Sequence, residues 1–333
     1  MSGPAADSDA TRRRQAAVER RITEGTTDDG RLQDVISRLR ATAGPLLAGA
    51  GMVCLPLLGA VWWNIASHPW HNDAYATWNA WHDGRLYPSV WRPVSEYPYA
   101  PAFAQVFWPL TLLPWGVVHA AWAAFQLAVL TWMLGPLGAL LALAFPFPRI
   151  DGHGTAVYAT INNGNPMILV AGAITLGLTR WPGAFAFVLL TKVSAGIGIV
   201  YFALRREWRK LGLAVGVTAG IVVVSAVFTP QLWVEWARFL HGAAFHSASA
   251  EALAKERFLP VPMPLRSLVG LALIVIAAWR GWLWAVAVGC FLALPDIHLG
   301  GFAVLTAAPA VWLRLRRADP VAAIESIEPP RRP

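Results

Sequence analysis

Charged residues are scarce in this sequence, and the shortage excludes an ordinary water-soluble protein. Lys, Arg, Asp and Glu make up 14% of the 333 residues, whereas hydrophobic residues make up 56%. Soluble domains carry roughly 25% charged residues, which cover their surfaces. A chain this poor in charge is predicted to lie in a membrane.

Cysteine is nearly absent, which excludes a disulfide framework and a cysteine-rich metal site. The two cysteines, Cys54 and Cys290, both lie inside apolar runs. The sequence has no Cys or His spacing typical of a metal site, and no cofactor is predicted. One alternative stays open, because Asp73 with Asp83 or Asp296 can hold a divalent cation through carboxylate oxygens.

Long apolar runs recur from Pro45 to Leu313, separated by short polar stretches. Because a helix needs about 20 apolar residues to cross a bilayer, the runs predict an all-α, polytopic transmembrane bundle of about ten helices. The predicted spans are 45–66, 99–115, 117–134, 136–149, 157–178, 183–204, 211–228, 266–279, 282–295 and 299–313. Several are short, so broken or re-entrant helices are expected between Pro136 and Gly164.

The two ends of the chain differ from this central domain. Residues 1–44 are polar and mixed in charge, and we expect a cytoplasmic tail that is disordered or weakly helical. Residues 45–313 form the predicted membrane domain, and residues 314–333 form a second cytoplasmic tail.

Basic residues are distributed unequally between the predicted loops, which sets an orientation. With the N-terminus in the cytoplasm, 19 of the 27 Lys and Arg residues fall on the cytoplasmic side and seven on the outer side. The remaining one, Lys192, falls inside a helix. The net charge of +8 then faces anionic lipid headgroups, so no nucleic-acid partner is needed to explain it. The prediction is a multi-pass protein of the cell membrane with both termini cytoplasmic.

The same count places residues 162–165, with the sequence Asn-Asn-Gly-Asn, near the cytoplasmic side. These residues are therefore predicted to cap the following helix rather than to bind a ligand.

Two predicted outer loops, residues 67–97 and 229–264, are longer than simple turns. Loops this long between packed helices are commonly functional. In the first loop, the spacing of Tyr75, Trp78 and Trp81 predicts an amphipathic helix in the membrane interface. Aromatic faces can stack on sugar rings, and carboxylates can bind sugar hydroxyls. An aromatic belt with solvated charges is an equally good interpretation of the composition.

Four segments, taken in order, resemble glycosyltransferase family 87, a GT-C superfamily group that includes mannosyltransferases. The first segment contains "YPYAP" at residues 97–101, "PLTLLP" at residues 109–114, and Asp73, Tyr75, Gly84, Leu86 and Tyr87. The other three are "NNGNPMILVAGAITLGL", "GAFAFVLLTKVSAGIGIVYFALRREWR" and "LPDIHLGGFAVLTAAP". The resemblance covers most of residues 50–313 and implies a GT-C-like membrane domain with glycosyltransferase activity.

Members of this superfamily use a polyprenyl-phosphate sugar as donor and a glycolipid as acceptor on the outer face. The resemblance therefore implies inverting transfer of mannose, another hexose or a pentose, with an Asp as general base. Asp73 is the candidate base, and Asp83 and Glu96 are its alternatives. A solvated loop carboxylate is the other interpretation of Asp73.

His298 and Lys192 are the candidates for contacting the donor phosphate. An imidazole at the start of the last helix can donate to a phosphate or a sugar hydroxyl, although a helix-capping His fits the position equally well. A charge inside a membrane helix is expensive and usually functional. For Lys192, a structural ion pair or hydrogen bonds to the carbonyls of a broken helix are the alternatives.

Further candidates lie in the first outer loop. Arg85 and Arg92 can bind phosphate in a bidentate manner, although solvated or headgroup-binding roles fit them equally well. The candidates for binding the acceptor or the sugar are Tyr75, Asp83, Glu96 and Tyr97.

Two other functions stay open. A transporter or lipid-binding membrane protein of the same fold would need no chemistry, although one ionisable residue at depth is few for a coupled carrier. A relative without activity could instead serve as a partner in cell-envelope assembly.

Overall fold

The computed structural model describes residues 73–81, 86–87, 98–144, 149–150, 154–247, 261–295 and 297–318. Several predicted features lie outside these residues: the N-terminal tail, the span 45–66 and residues 319–333 of the C-terminal tail. The candidates that also lie outside them are Asp83, Arg85, Arg92, Glu96, Tyr97 and the possible cation ligand Asp296.

The described part of the chain is a bundle of helices, which confirms the all-α prediction. Its α-helices are α1 (Asp73–Asn79), α2 (Pro101–Phe107), α3 (Trp115–Ala144), α4 (Ala156–Asn162), α5 (Met167–Thr179), α6 (Phe185–Thr191), α7 (Val200–Leu204), α8 (Trp208–Phe228), α9 (Pro230–Ser247), α10 (Met263–Arg280), α11 (Leu283–Leu292) and α12 (Ala307–Ala318). Short 3₁₀ helices cover Trp108–Leu112, Pro182–Ala184, Val193–Ile199 and Leu299–Thr306. A small antiparallel ribbon pairs β1 (Arg149–Ile150) with β2 (Gly154–Thr155) and leaves the fold class unchanged.

Within the described residues, three helices are long and apolar enough to cross a membrane: α3, α8 and α10. Helix α8 has a mean hydropathy of 2.4 and leaves most of its large apolar side chains exposed, Val223, Val227 and Phe228 among them. A broad exposed apolar surface of this kind requires lipid rather than water around it. The protein is therefore a membrane protein.

Helix α3 is broken at Gly135, where the predicted break next to Pro136 is confirmed. Gly135 has φ 78° and ψ 168°, a backbone conformation that is essentially restricted to glycine. Pro136 cannot donate a backbone hydrogen bond, so the preceding helix ends there.

Several predicted spans are not continuous helices, and one of them, 157–178, is divided into α4 and α5. The span 183–204 breaks at Lys192, which ends α6 with φ −137° and ψ 75° and precedes a 3₁₀ helix. Gly198 allows the close approach behind this break, since a Cβ atom there would lie 2.6 Å from Sγ of Cys290. The span 99–115 consists of α2 and the 3₁₀ helix Trp108–Leu112, because its prolines interrupt a regular helix.

Helix α5 forms the centre of the core. Its residues Ile168, Val170, Ala171 and Ile174 are fully buried and pack in one cluster with α11 and α12. Because α5 starts directly after residues 162–165, this rigid packing also fixes the polar segment in front of it.

Candidate active site

Asp73 is the first residue of α1, and residues 162–165 hold it in place. Its backbone N–H donates to the carbonyl oxygen of Asn163 at 2.8 Å, and the side-chain amide of Asn165 donates to its Oδ2 at 2.6 Å. Asp73 as a residue is exposed to solvent, although protein atoms surround its carboxyl group on most sides.

Lys192 and His298 both act electrostatically on Asp73. Burial raises the pKa of the Asp73 carboxyl above its ordinary value, while Lys192, the Asn165 hydrogen bond and His298 lower it to a smaller extent. The structure thus brings three of the candidate residues close together, although each is more than 100 positions from the next in the sequence. A carboxylate, an ammonium and an imidazole meet there.

Lys192 lies at the helix break rather than inside a helix, which corrects its predicted setting. The backbone N–H of Lys192 still donates to Val188, and its ammonium lies 5.4 Å from the ring centroid of Tyr99. The Tyr99 ring is buried, and its carbonyl oxygen accepts a 2.6 Å hydrogen bond from the Tyr87 hydroxyl. Because the helix is broken at Lys192, the ammonium reaches the site from the break and not from the middle of a continuous helix.

His298 directly precedes the 3₁₀ helix Leu299–Thr306 and is exposed to solvent. Its neighbour Ile297 is fully buried, and the carbonyl oxygen of Gly300 accepts a hydrogen bond from Thr160 in α4. The imidazole therefore projects from a segment that the core holds on both sides.

The prediction for residues 162–165 was wrong. They lie beside Asp73, because Asn163 and Asn165 hydrogen-bond to it directly, and no side chain caps the following helix α5. Tyr99, at the start of the segment 99–115, has its pKa raised by burial and also by the nearby Asp73 carboxylate. Leu113, at the end of the segment, accepts a hydrogen bond from the Trp78 indole at 3.2 Å, so both ends lie near α1.

Two side chains of helix α3 hydrogen-bond to residues 162–165, the asparagine segment. The Trp122 indole donates to the carbonyl oxygen of Gly164 at 2.8 Å. With its amide oriented to satisfy both neighbours, the fully buried Gln126 donates to the carbonyl of Asn165 at 2.9 Å and accepts from Trp122 at 3.1 Å. Amide side chains in so apolar a chain are the sequence signal that could have revealed this network.

Tyr75 belongs to an aromatic cluster beside Asp73. Its ring centroid lies 5.7 Å from that of Trp78 and 5.2 Å from that of Trp115, the latter edge-to-face. The predicted helix around Tyr75 and Trp78 is confirmed as α1, and Trp81 follows its end. The cluster forms an aromatic wall next to the carboxylate.

An apolar groove of about 650 Å³ lies between α2, α8 and the residue Trp81. Val106, Val224 and Phe228 line its apolar part. Its polar part is small: the Gln105 amide donates to the Thr229 hydroxyl at 2.6 Å.

No cluster of three or more His, Cys, Asp or Glu side chains able to hold a metal ion occurs among the residues that the structure describes.

The sequence model of glycosyltransferase family 87 matches residues 97–327, which is more than half of the chain. The chain belongs to glycosyltransferase family 87. The region that matches family 87 contains Lys192, His298 and the asparagine segment, whereas Asp73 and Tyr75 precede it. Comparisons with curated proteins and with solved structures give no match. Family membership and the apolar helices together make this protein a membrane glycosyltransferase.

Proposed function

We propose that this glycosyltransferase moves mannose, another hexose or a pentose from a polyprenyl-phosphate donor to a glycolipid or other cell-envelope acceptor, with inversion at the sugar carbon. The observation that carries the proposal is the meeting of Asp73, Lys192 and His298 at one water-accessible site. These three groups match the needs of glycosyl transfer from a phosphate: a base for the acceptor and positive or donor groups for the leaving group.

Asp73 acts as the general base. As the acceptor oxygen bonds to the anomeric carbon, its proton passes to the Asp73 carboxylate and the bond from that carbon to the phosphate oxygen breaks. Burial raises the pKa of Asp73, which makes the carboxylate a stronger base than an ordinary aspartate. The Asn165 amide orients the carboxyl group through Oδ2.

Lys192 and His298 receive the leaving phosphate. The charge that develops on the phosphate is stabilised by the Lys192 ammonium at the helix break and by the His298 imidazole, which precedes the 3₁₀ helix Leu299–Thr306. Arg85 and Arg92 are further proposed phosphate ligands. The proposed contacts to the sugar or the acceptor are Tyr75, Asp83, Glu96 and Tyr97.

The apolar groove between α2 and α8 suits the isoprenoid chain of the donor. Its lining is almost entirely aliphatic and aromatic, and the side chains at its rim, such as Val106 and Phe228, are themselves exposed. Burial of an isoprenoid chain there would contribute about 0.8 kcal/mol per CH₂ group removed from water.

The proposed location is the cell membrane, with both termini cytoplasmic and the site on the extracytoplasmic face. The cation-rich end of α12 supports this orientation, because Arg314 and Arg316 stack on Trp132 and Trp312 at 3.9 and 3.7 Å from the ring centroids. Proposed partners are the lipid-linked sugar, the glycolipid acceptor and membrane lipids, without nucleic acid.

The test uses the full chain purified into lipid nanodiscs with labelled polyprenyl-phosphate sugars and membrane glycolipids. We expect transfer by the native protein and its loss in Asp73→Asn. Glu207→Gln is the control, since Glu207 pairs with Lys210 at 2.9 Å outside the candidate site. Absence of transfer with every donor, or full activity in Asp73→Asn, would overturn the proposal, and sugar release across sealed vesicles without transfer would indicate a carrier.

A further inference from the structure

Arg266 is a buried cation near the start of α10, with only 3% of its surface exposed. Its guanidinium donates to four backbone carbonyls. Nε reaches Val261 at 2.8 Å, Nη2 reaches Pro295 at 3.0 Å, and Nη1 reaches Leu294 at 2.9 Å and Leu292 at 3.5 Å.

Three of these acceptors belong to the connection that leads from α11 to His298. Leu292 is the last residue of α11, and Pro295 stands three positions before the imidazole. Carbonyls at a helix C-terminus lack intrahelical partners and carry partial negative charge, so a cation there is favourable. One planar guanidinium with its fixed fork of donors can bind several carbonyls at once, which a lysine cannot do.

Two sets of contacts therefore fix the 292–295 connection, one from the core and one from Arg266. Ala293, Leu294 and Ile297 are fully buried in the core, while Arg266 binds the carbonyl oxygens that the connection turns toward α10. A shift of this segment would move His298 directly, because few rotatable bonds separate Pro295 from the imidazole. Placing a catalytic group wrongly by about 1 Å can cost roughly a hundredfold in rate.

We infer that Arg266 is a positioning residue, which fixes the 292–295 connection and thereby sets the position of His298 toward the donor phosphate. Three of the four accepting carbonyls lie within six residues of His298, so these hydrogen bonds act on the segment that carries the imidazole. The inference rests on the proposed function of His298.

The test is a double-mutant cycle measured as kcat in nanodiscs with the donor that the native protein uses. We expect Arg266→Met to lower kcat by at least ~10-fold, and Arg266→Lys to recover part of the loss. In the His298→Ala background the same Arg266→Met change should have almost no further effect. Arg205→Met is the matched control, because Arg205 donates to the Ala278 carbonyl at 3.3 Å near the other end of the same helix.

Hydrogen exchange of the 292–300 segment supplies a readout that does not need activity. We expect faster exchange there in Arg266→Met and unchanged exchange in Arg205→Met. If Arg266→Met does not fold, Arg266→Lys carries both measurements. Equal losses of kcat in both His298 backgrounds, or unchanged exchange, would overturn the inference. If His298→Ala is itself fully active, the proposed role of His298 fails instead.

Discussion

The side-chain amide of Asn165 donates a 2.6 Å hydrogen bond to Oδ2 of Asp73, across 92 positions of sequence. This bond joins the first residue of α1 to the segment that precedes the central helix α5. Because α5 is packed in the core, the candidate base is aligned by a segment that leads directly into the core. The bond also favours the ionised carboxylate, which can accept more hydrogen bonds than the protonated acid.

Asn165→Ala should therefore change both the orientation and the ionisation of Asp73. The carboxyl group loses its orientation, and its pKa rises further because the lowering contribution of the amide is gone. We expect kcat to fall by about tenfold and the acid limb of the pH–rate profile to move to higher pH. Thr218→Ala is a suitable control, since it removes only a hydrogen bond within α8. An unshifted acid limb in Asn165→Ala would contradict the assignment of Asp73.

Lys192→Met tests the second charge of the site. The loss of the ammonium removes stabilisation of the leaving phosphate, and kcat/KM should fall by about a hundredfold. The pKa of Asp73 should rise as well, because Lys192 lowers it in the native protein. Lys192→Arg keeps the charge and should retain the native pH profile. Unchanged donor kinetics in Lys192→Met would show that the residue serves structure alone.

The stability of the protein should also depend on Asp73 and pH. Its pKa is raised in the folded state, so the stabilising contribution of the protonated form is present at low pH and is lost as the pH rises through that raised pKa. Asp73→Asn cannot ionise and should have the higher melting temperature at neutral pH, with the difference vanishing in acid. A thermal melt in nanodiscs across this pH range measures it, and a lower melting temperature of the variant at pH 7 would oppose the assignment.

The sequence predicts the apolar bundle, the break at Gly135 and the charged residues of the site, because a charge or a glycine–proline pair in an apolar chain has few interpretations. Asn165 was missed for a physical reason. Hydropathy treats residues 99–115 as one apolar span, yet the structure divides it into α2 and a short 3₁₀ helix, and its two ends lie near α1. Arg266 was missed because its partners are backbone carbonyls, and these have no signature in the side-chain sequence.

Gly135→Ala tests whether the break in α3 depends on glycine. Its φ of 78° and ψ of 168° lie in a region that other residues adopt at a cost of about 1–3 kcal/mol. A Cβ atom there would meet no other atom within 4 Å, so the whole cost belongs to the backbone. Gly216→Ala lies in α8 with equally open surroundings and should stabilise by about 0.5–1 kcal/mol. Unfolding in detergent compares the two, and equal effects would mean that α3 runs straight through Gly135.

Val224→Trp tests whether the groove holds the isoprenoid chain of the donor. Val224 lines the groove, whereas Val227 is 74% exposed on the same helix and lies outside the lining. An indole at position 224 would displace part of the chain, and losing about two buried CH₂ groups costs roughly 1.6 kcal/mol, or about tenfold in affinity. KM should therefore rise about tenfold for long-chain donors and hardly at all for donors truncated to one or two isoprene units. Val227→Trp adds the same bulk to the surface of α8 and should leave both KM values unchanged. An equal rise for short and long donors would place the effect at the sugar site, and no rise for either would place the chain elsewhere.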